Sequence, residues 1–257
     1  MIESIDKQSI GLSIILPLLG KDIFLEGALK LMPIDLDVPY EFLIMYDQVE
    51  LDLVAVRQIS DKYHNVRFLE KNNNTSTLSA LQQGIDAATA EYILVVCTDI
   101  IGPIITINQM LSLAKEGCDF INCTRYAAGG RYLGGSCLET ILSRLANWIL
   151  HFAGCAFTDA TLGLKLFRKD IFKQLQLQSN STSWVIALEM ALKAQSAGLR
   201  LAEVATIAVD RFYGGYSTRN HQDFFKYTKC FFLGCIGLHR ATANKLSTPT
   251  CPIQISD

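Results

Sequence analysis

Residues 91–103 read Glu-Tyr-Ile-Leu-Val-Val-Cys-Thr-Asp-Ile-Ile-Gly-Pro, and this stretch decides the fold. Tyr92 to Cys97 is an unbroken apolar run, the pattern of a strand buried on both faces of a parallel sheet. It leads straight into one carboxylate, Asp99, and then a Gly102-Pro103 break. Open α/β sheets bind ligands beyond the carboxyl ends of their strands. An acid delivered there suits a metal ion or the charged side of a phosphate. Its simpler use is to start the turn before Gly102-Pro103.

Towards the N-terminus the same kind of unit repeats. Gly11 to Leu19 reads as a first buried strand, with Pro17 marking where the chain leaves the sheet for the ligand edge. Asp22 to Leu31 and Leu51 to Tyr63 carry helical spacing of apolar residues. Between them Tyr40 to Tyr46 is a second strand, and it too ends at an acid, Asp47. Val66 to Leu69 is a short strand. The polar loop Asn72 to Thr77 supplies helix-capping residues. Leu78 to Ala90 then reads as a helix with Leu78, Leu81, Ile85 and Ala88 on one face. This β-α-β-α-β-α-β alternation predicts a mostly parallel sheet with helices on both faces, a three-layer α/β/α domain. Asp47 and Asp99 arrive at the same edge of it.

Beyond residue 103, Asp119 to Thr124 is a further strand, followed by Arg125 and a glycine-rich stretch. Glu139 to Ala153 reads as an amphipathic helix. Asp159 to Arg168 is a turn leading into a strand, Val185 to Gly198 a helix with a glycine C-cap, and Leu201 to Val209 a strand. A polar segment, Asp210 to Arg219, comes next. No repeat or linker divides the chain, so residues 1–240 are expected to form one domain. The Ser-, Thr- and Pro-rich segment 241–257 is expected to be a flexible tail.

Half of the residues are hydrophobic and 19% are charged, so a sizeable core is available. A formal net charge of −2 and the lack of a long basic run argue against nucleic acid as a partner. The start, Met-Ile-Glu-Ser-Ile-Asp-Lys, has neither the basic residues nor the apolar stretch of a secretory signal. No apolar run reaches the ~20 residues of a membrane span. A cytoplasmic location follows, with membrane contact limited to a peripheral one, for which Phe231 to Leu238 is the candidate. The eight cysteines show no Cys-x-x-Cys pair and several sit in apolar runs, which reads as reduced, buried thiols. The four histidines (64, 151, 221 and 239) are scattered and read as surface or packing residues.

The order of these features resembles the family 2 glycosyltransferases of GT-A fold, especially the branch near the dolichol-phosphate mannose synthases. Asp159-Ala-Thr-Leu-Gly163-Leu-Lys165 is similar to that family's Asp-x-Thr-x-Gly-[Phe]-[Arg/Lys] segment. Thr124-Arg125-Tyr126 with Gly129-Gly130 resembles its Ser-Arg-Tyr…Gly-Gly stretch. Glu203-Val204, followed by Asp210-Arg211-x-x-Gly-Gly-x-Ser217, resembles its Glu-Val-Pro…Arg…Gly-x-Ser-Lys segment. The N-terminal half departs from the pattern. Pro17-Leu-Leu-Gly-Lys replaces Pro-x-Tyr-Asn-Glu, Tyr46-Asp47 replaces an Asp pair, and Cys97-Thr98-Asp99 replaces Asp-x-Asp.

The resemblance implies transfer of a sugar from a nucleotide-diphosphate donor to a lipid-phosphate, glycan or small acceptor, with inversion. It implies Mg²⁺ or Mn²⁺ on Asp99, since one carboxylate and the diphosphate oxygens satisfy such an ion. Pro17 and Asp47 would meet the base or ribose, and Arg125, Arg211, Ser217 and Arg219 the phosphates. Glu189, the lone acid in an apolar helix, and Asp159 are the candidates for proton transfer. Each has a simpler reading: Glu189 as a polar-face residue or partner of Lys193, Asp159 as a turn cap. The eroded N-terminal motifs keep a second function open, a non-catalytic GT-A domain that binds a nucleotide or a protein partner. A nucleotidyltransferase is a weaker alternative, because Leu18-Leu-Gly-Lys is not the Gly-rich loop with Arg and Lys that such enzymes carry. Self-association stays open.

Overall fold

The computed structural model describes residues 11–18, 36–46, 61–71, 76–96, 100–101, 104–134, 137–179, 185–210 and 221–243. The helices expected over Asp22–Leu31 and Leu51–Tyr63 lie wholly or mostly outside these residues, as does the polar loop after Lys71.

The strands are β1 (Leu12–Pro17), β2 (Tyr40–Tyr46), β3 (Val66–Glu70), β4 (Tyr92–Val95), β5 (Ile100–Ile101), β6 (Phe120–Thr124), β7 (Arg131–Leu133), β8 (Lys165–Arg168), β9 (Leu201–Ala205) and β10 (Ile207–Asp210). The helices are α1 (Thr77–Ala87), α2 (Ile104–Lys115), α3 (Cys137–Phe152), α4 (Val185–Ser196) and α5 (His221–Ala243), with a 3₁₀ segment at Lys169–Leu175. Seven strands form the main sheet in the order β3-β2-β1-β4-β8-β6-β9, and β5-β10-β7 form a small second sheet. In the main sheet β8 alone runs antiparallel to its neighbours, β4 and β6. The parallel sheet expected from the β-α alternation is therefore what the chain builds.

Side chains alternate across the strands, as a pleated backbone requires. Leu12, Ile14 and Leu16 of β1 face one core, where α2 contributes Ile107, Met110 and Leu111. Ile15 faces the other, with Leu43 and Met45, under Leu81 and Ile85 of α1 and Leu188 and Met190 of α4. The sheet thus lies between two helical layers. On the α1 side the approach is close: a Cβ on Gly84 would lie 2.9 Å from Ile15 Cγ2 and 3.2 Å from Met45 Sδ.

One polar group is sunk into the sheet. Glu41 of β2 is buried and accepts from Ser13 Oγ (2.7 Å), Thr89 N (2.7 Å) and Arg67 Nη1 (3.0 Å). Burial pushes its carboxyl pKa up. The hydrogen bonds from Ser13 and Thr89, with Arg67, outweigh that and hold it below the ordinary value.

Two elements differ from the sequence reading. Residues 104–115 form α2, to which the sequence pattern assigned nothing. The strand read over Leu201–Val209 is two strands. β9 ends at Ala205, and Thr206, which donates to Thr124 O and accepts from Arg131 N, switches the chain into the small sheet with β7 and β5. Among the described cysteines, Cys123 and Cys155 are free, buried thiols as expected, Cys230 and Cys235 are free and half-buried, Cys137 is free but exposed, and Cys118 is disulfide-bonded. The helix α5 runs to Ala243, just past the expected start of the tail.

The close seat of α1 sets a sign. Leucine at Gly84 would gain about 1 kcal/mol of helix propensity on an open helix. Here it is expected to destabilise by about 1–3 kcal/mol, because the added side chain enters a filled core. Urea denaturation of Gly84→Leu checks this, with a midpoint above that of the parent as the contrary result.

Candidate functional site

The strand order reverses at β1. From there the chain moves outward through β2 and β3 and then returns to place β4 on the other flank. This is a topological switch point, and open α/β sheets bind ligands beyond the carboxyl ends of the strands that flank one, here β1 and β4. Pro17 ends β1 there, buried and in register with Met45. Next to it, Lys71 at the end of β3 donates to the carbonyl of Leu18. The segments that carry Asp47 and Asp99 begin right after Tyr46 and Val96, but both acids lie outside the described residues. Arg211, Ser217 and Arg219 lie outside them too. Among the described residues no group of three His, Cys, Asp or Glu side chains could hold a metal ion.

Further along the same edge, where β6 and β9 end, the structure brings together two residues read as separate candidates. Arg125 and Asp159, 34 residues apart, form a bidentate pair: Nε to Oδ2 at 2.7 Å and Nη2 to Oδ1 at 3.0 Å. Asp159 is completely buried and Arg125 is 8% exposed. Asp159 also accepts from the Arg125 backbone N–H (3.2 Å), Thr161 Oγ1 (2.8 Å) and Asn147 Nδ2 (3.3 Å). The guanidinium lies over the rings of Tyr126 and Tyr132, 4.9 and 5.2 Å from their centres, and also donates to Thr161 and Ser143. Burial lowers its pKa, but the bonded Asp159 carboxylate outweighs that and raises it, so the cation persists.

The glycines after Arg125 have a steric reason. A Cβ on Gly130 would lie 2.8 Å from both the Arg125 carbonyl carbon and the Thr124 oxygen. Only glycine lets the turn fold back so tightly, which starts β7 and sets Tyr132 against the guanidinium.

A second pair lies below the first. Lys165 of β8 is completely buried and donates to Asn122 Oδ1 (2.6 Å) and Ala160 O (3.3 Å). Glu203 of β9 accepts from Asn122 Nδ2 (2.9 Å), Thr158 N (2.9 Å) and Thr158 Oγ1 (2.7 Å), which fixes the loop that carries Asp159. Two cations and two anions thus balance inside one dry network. Burial pushes the Lys165 ammonium pKa down to about 8, and the attraction of Asp159 offsets only part of that.

Glu189 does not join this centre. It is 8% exposed on α4, and its two oxygens accept from the backbone N–H groups of Gln178 (2.7 Å) and Ser179 (2.9 Å). It lines a separate cavity of about 480 Å³ between α4 and α5, with Lys193, Lys226 and Lys229 on the wall. Asp159 and Glu189, the two acids read as proton carriers, both have their carboxylate oxygens taken by donors in this state. The sequence reading missed Asn122, Ser143 and Asn147. The last two had a signal, a polar pair at i and i+4 on the side of α3 away from its apolar stripe.

No protein-family model matches this sequence. The fold matches solved structures of glucosyl-3-phosphoglycerate synthase from Mycobacterium tuberculosis. The complex with Mn²⁺, UDP and glucosyl-3-phosphoglycerate gives a TM-score of 0.63 at 14% identity, over 91% of this chain and 81% of that one. The complex with Mg²⁺ and UDP gives 0.60 at 13% identity over 91% and 81%. The complex with Mn²⁺, UDP-glucose and phosphoglyceric acid gives 0.61 at 14% identity over 89% and 81%. At this identity the likeness shows the fold, which is GT-A, the Rossmann-like fold of nucleotide-diphospho-sugar transferases.

Two outcomes follow for the buried centre. Asp159→Ala leaves the Arg125 cation dry and unpaired and is expected to cost about 3–5 kcal/mol. Adding Arg125→Met should recover part of it, since the two changes share one interaction. Full additivity in denaturant titrations would contradict the pairing. For Lys165 the folded pKa, about 8, lies below the ordinary 10.5, so the unfolded chain binds the extra proton between these values. Stability relative to Lys165→Met should therefore rise from pH 8 to pH 10, and a flat difference would contradict the burial of a charged amine.

Proposed function

We propose that this chain is a glycosyltransferase, moving a sugar from a nucleotide-diphosphate donor to an acceptor with Mg²⁺ or Mn²⁺ assistance. The observation that carries the reading is the switch point between β1 and β4 in a GT-A sheet, with β4 leading into Asp99. The solved complexes named above contain UDP or UDP-glucose with one of these ions, so a UDP-sugar is the first donor to test. A kinship with the dolichol-phosphate mannose synthase-like branch is part of the proposal. The segments Thr124–Gly130, Asp159–Lys165 and Glu203–Ser217 support it.

In this reading Asp99 and the diphosphate oxygens share the metal, a donor set of hard oxygens that suits Mg²⁺ or Mn²⁺. The ion would neutralise charge on the leaving diphosphate. Pro17 and Asp47 would meet the base or ribose, and Arg211, Ser217 and Arg219 the phosphates. Arg125, fixed by Asp159, presents a rigid cation to a phosphate of donor or acceptor.

Inversion requires the acceptor oxygen to attack the anomeric carbon as the nucleoside diphosphate departs from the opposite face. The acceptor proton must pass to a base. For Asp159 to take it, the carboxylate would have to give up one Arg125 bond. Glu189 would have to give up the Gln178–Ser179 backbone. The geometry favours positioning roles for both: Asp159 acts through Arg125, and Glu189 through the 178–179 segment. The saturated state of both acids is also what favours the second reading, a GT-A domain that binds a nucleotide or protein partner without turnover. The acceptor, a lipid phosphate, a glycan or a small molecule, self-association and a cytoplasmic location belong to the same proposal.

Titration calorimetry with UDP- and GDP-sugars, with and without Mn²⁺, tests it. Metal-dependent binding is expected, with at least tenfold loss in Asp99→Ala, about 1.4 kcal/mol, and loss of donor hydrolysis. Tight binding without turnover would favour the second reading, and binding indifferent to both metal and Asp99→Ala would overturn the metal assignment.

A further inference from the structure

Helix α3 is inside out for a water-soluble domain. Its inward face is Ser143, Asn147 and Leu150, with Ser143 and Asn147 bonded into the Arg125–Asp159 centre. Its outward face is Leu138, Ile141, Leu142, Leu145, Trp148 and Phe152, between 50% and 85% exposed. These recur at helical spacing, so they form one continuous stripe. Helix α5, which contacts α3, adds Phe232, Leu233 and Ile236, each at least half exposed. An apolar surface of this extent marks an interaction site.

We propose that the outward face of α3, continued by α5, docks this chain on the surface of a lipid bilayer that carries anionic headgroups. No helix among the described residues is long and apolar enough to cross a membrane. A stripe along a 16-residue helix is suited instead to lying in the interface plane. Trp148 stacks on Phe152 with ring centres 5.9 Å apart, and large aromatic side chains favour the boundary between headgroups and acyl chains.

Charge selects the bilayer over a second copy of the chain. The described charged side chains of α3 and α5 are basic: Arg144, Lys226 and Lys229, all exposed. Over their full lengths the two helices hold Arg144, Lys226, Lys229 and Arg240 against Glu139 and Asp223. A two-fold interface would set this basic margin against itself, whereas anionic headgroups complement it. The inference rests on exposure and charge and does not need the transferase reading.

Vesicle binding tests it in a Trp184→Phe background, where Trp148 is the remaining tryptophan of the two. With phosphatidylcholine vesicles containing a third phosphatidylglycerol, co-sedimentation is expected, weakened by salt and by omission of the anionic lipid. Trp148 emission should shift to the blue and be quenched by brominated acyl chains. Leu145→Ser with Trp148→Ser should reduce sedimentation about tenfold or more, with the thermal melt unchanged because both residues are exposed. If the double variant fails to fold, the brominated-lipid quenching still decides. The proposal is overturned by any of three results. These are no binding at any salt, a dimer that the double variant dissolves while vesicles leave Trp148 unmoved, or blue emission before any vesicle is added, which would show the stripe covered within the chain.

Discussion

The bidentate bond between Arg125 and Asp159 constrains more of this molecule than any other single interaction. Neither charge tolerates burial alone, so everything around them is arranged to complete their bonds. Thr161 and Asn147 take up the remaining positions on Asp159, and the Nη2 of Arg125 that bonds Asp159 also donates to Ser143. Gly130 lets the turn fold close enough to bring Tyr132 over the cation. Beneath, Glu203 pins the loop that holds Asp159, and Lys165 balances Glu203 through Asn122. β6, β8, β9, α3 and the start of the small sheet are thereby locked at one end of the main sheet, the end where its parallel strands finish.

The same constraint accounts for the odd orientation of α3. A helix whose Ser143 and Asn147 must serve a buried ion pair keeps Leu150 inward but cannot also bury Leu138, Leu142 and Leu145 on its other side. Its apolar stripe is left on the outside, and the molecule carries an exposed greasy face next to its most rigid polar centre. Fold, buried charge and surface are therefore one problem with a common solution.

Much of the frame was legible in the chain. Strands buried on both faces leave apolar runs, and β1, β2 and β4 were visible for that reason. α2 was not, because Ile104-Ile-Thr-Ile107 is β-branched and leans towards a strand. Its helicity comes from the burial of Ile107, Met110 and Leu111 against the sheet, a tertiary effect. The break at Thr206 was hidden because alternation continues through it while the pairing partner changes. Arg125 and Asp159 were each visible as candidates, but their bond joins positions 34 residues apart and no local pattern records it. The amphipathic character of α3 was plain, and which side faces inward was not, since that depends on the ion pair it serves.

The donor half of the proposed site gathers around the switch point of β1 and β4, and the acceptor half around Arg125, with β8 between β4 and β6. The central claim is that these two regions form one cleft along the carboxyl edge of a GT-A sheet. A crystal structure with UDP and Mn²⁺ tests it most directly. The account predicts a diphosphate beyond the ends of β1 and β4, with the ion on Asp99 and Arg125 facing the open side of the phosphates. A nucleotide seated elsewhere, such as the basic cavity between α4 and α5, would contradict it.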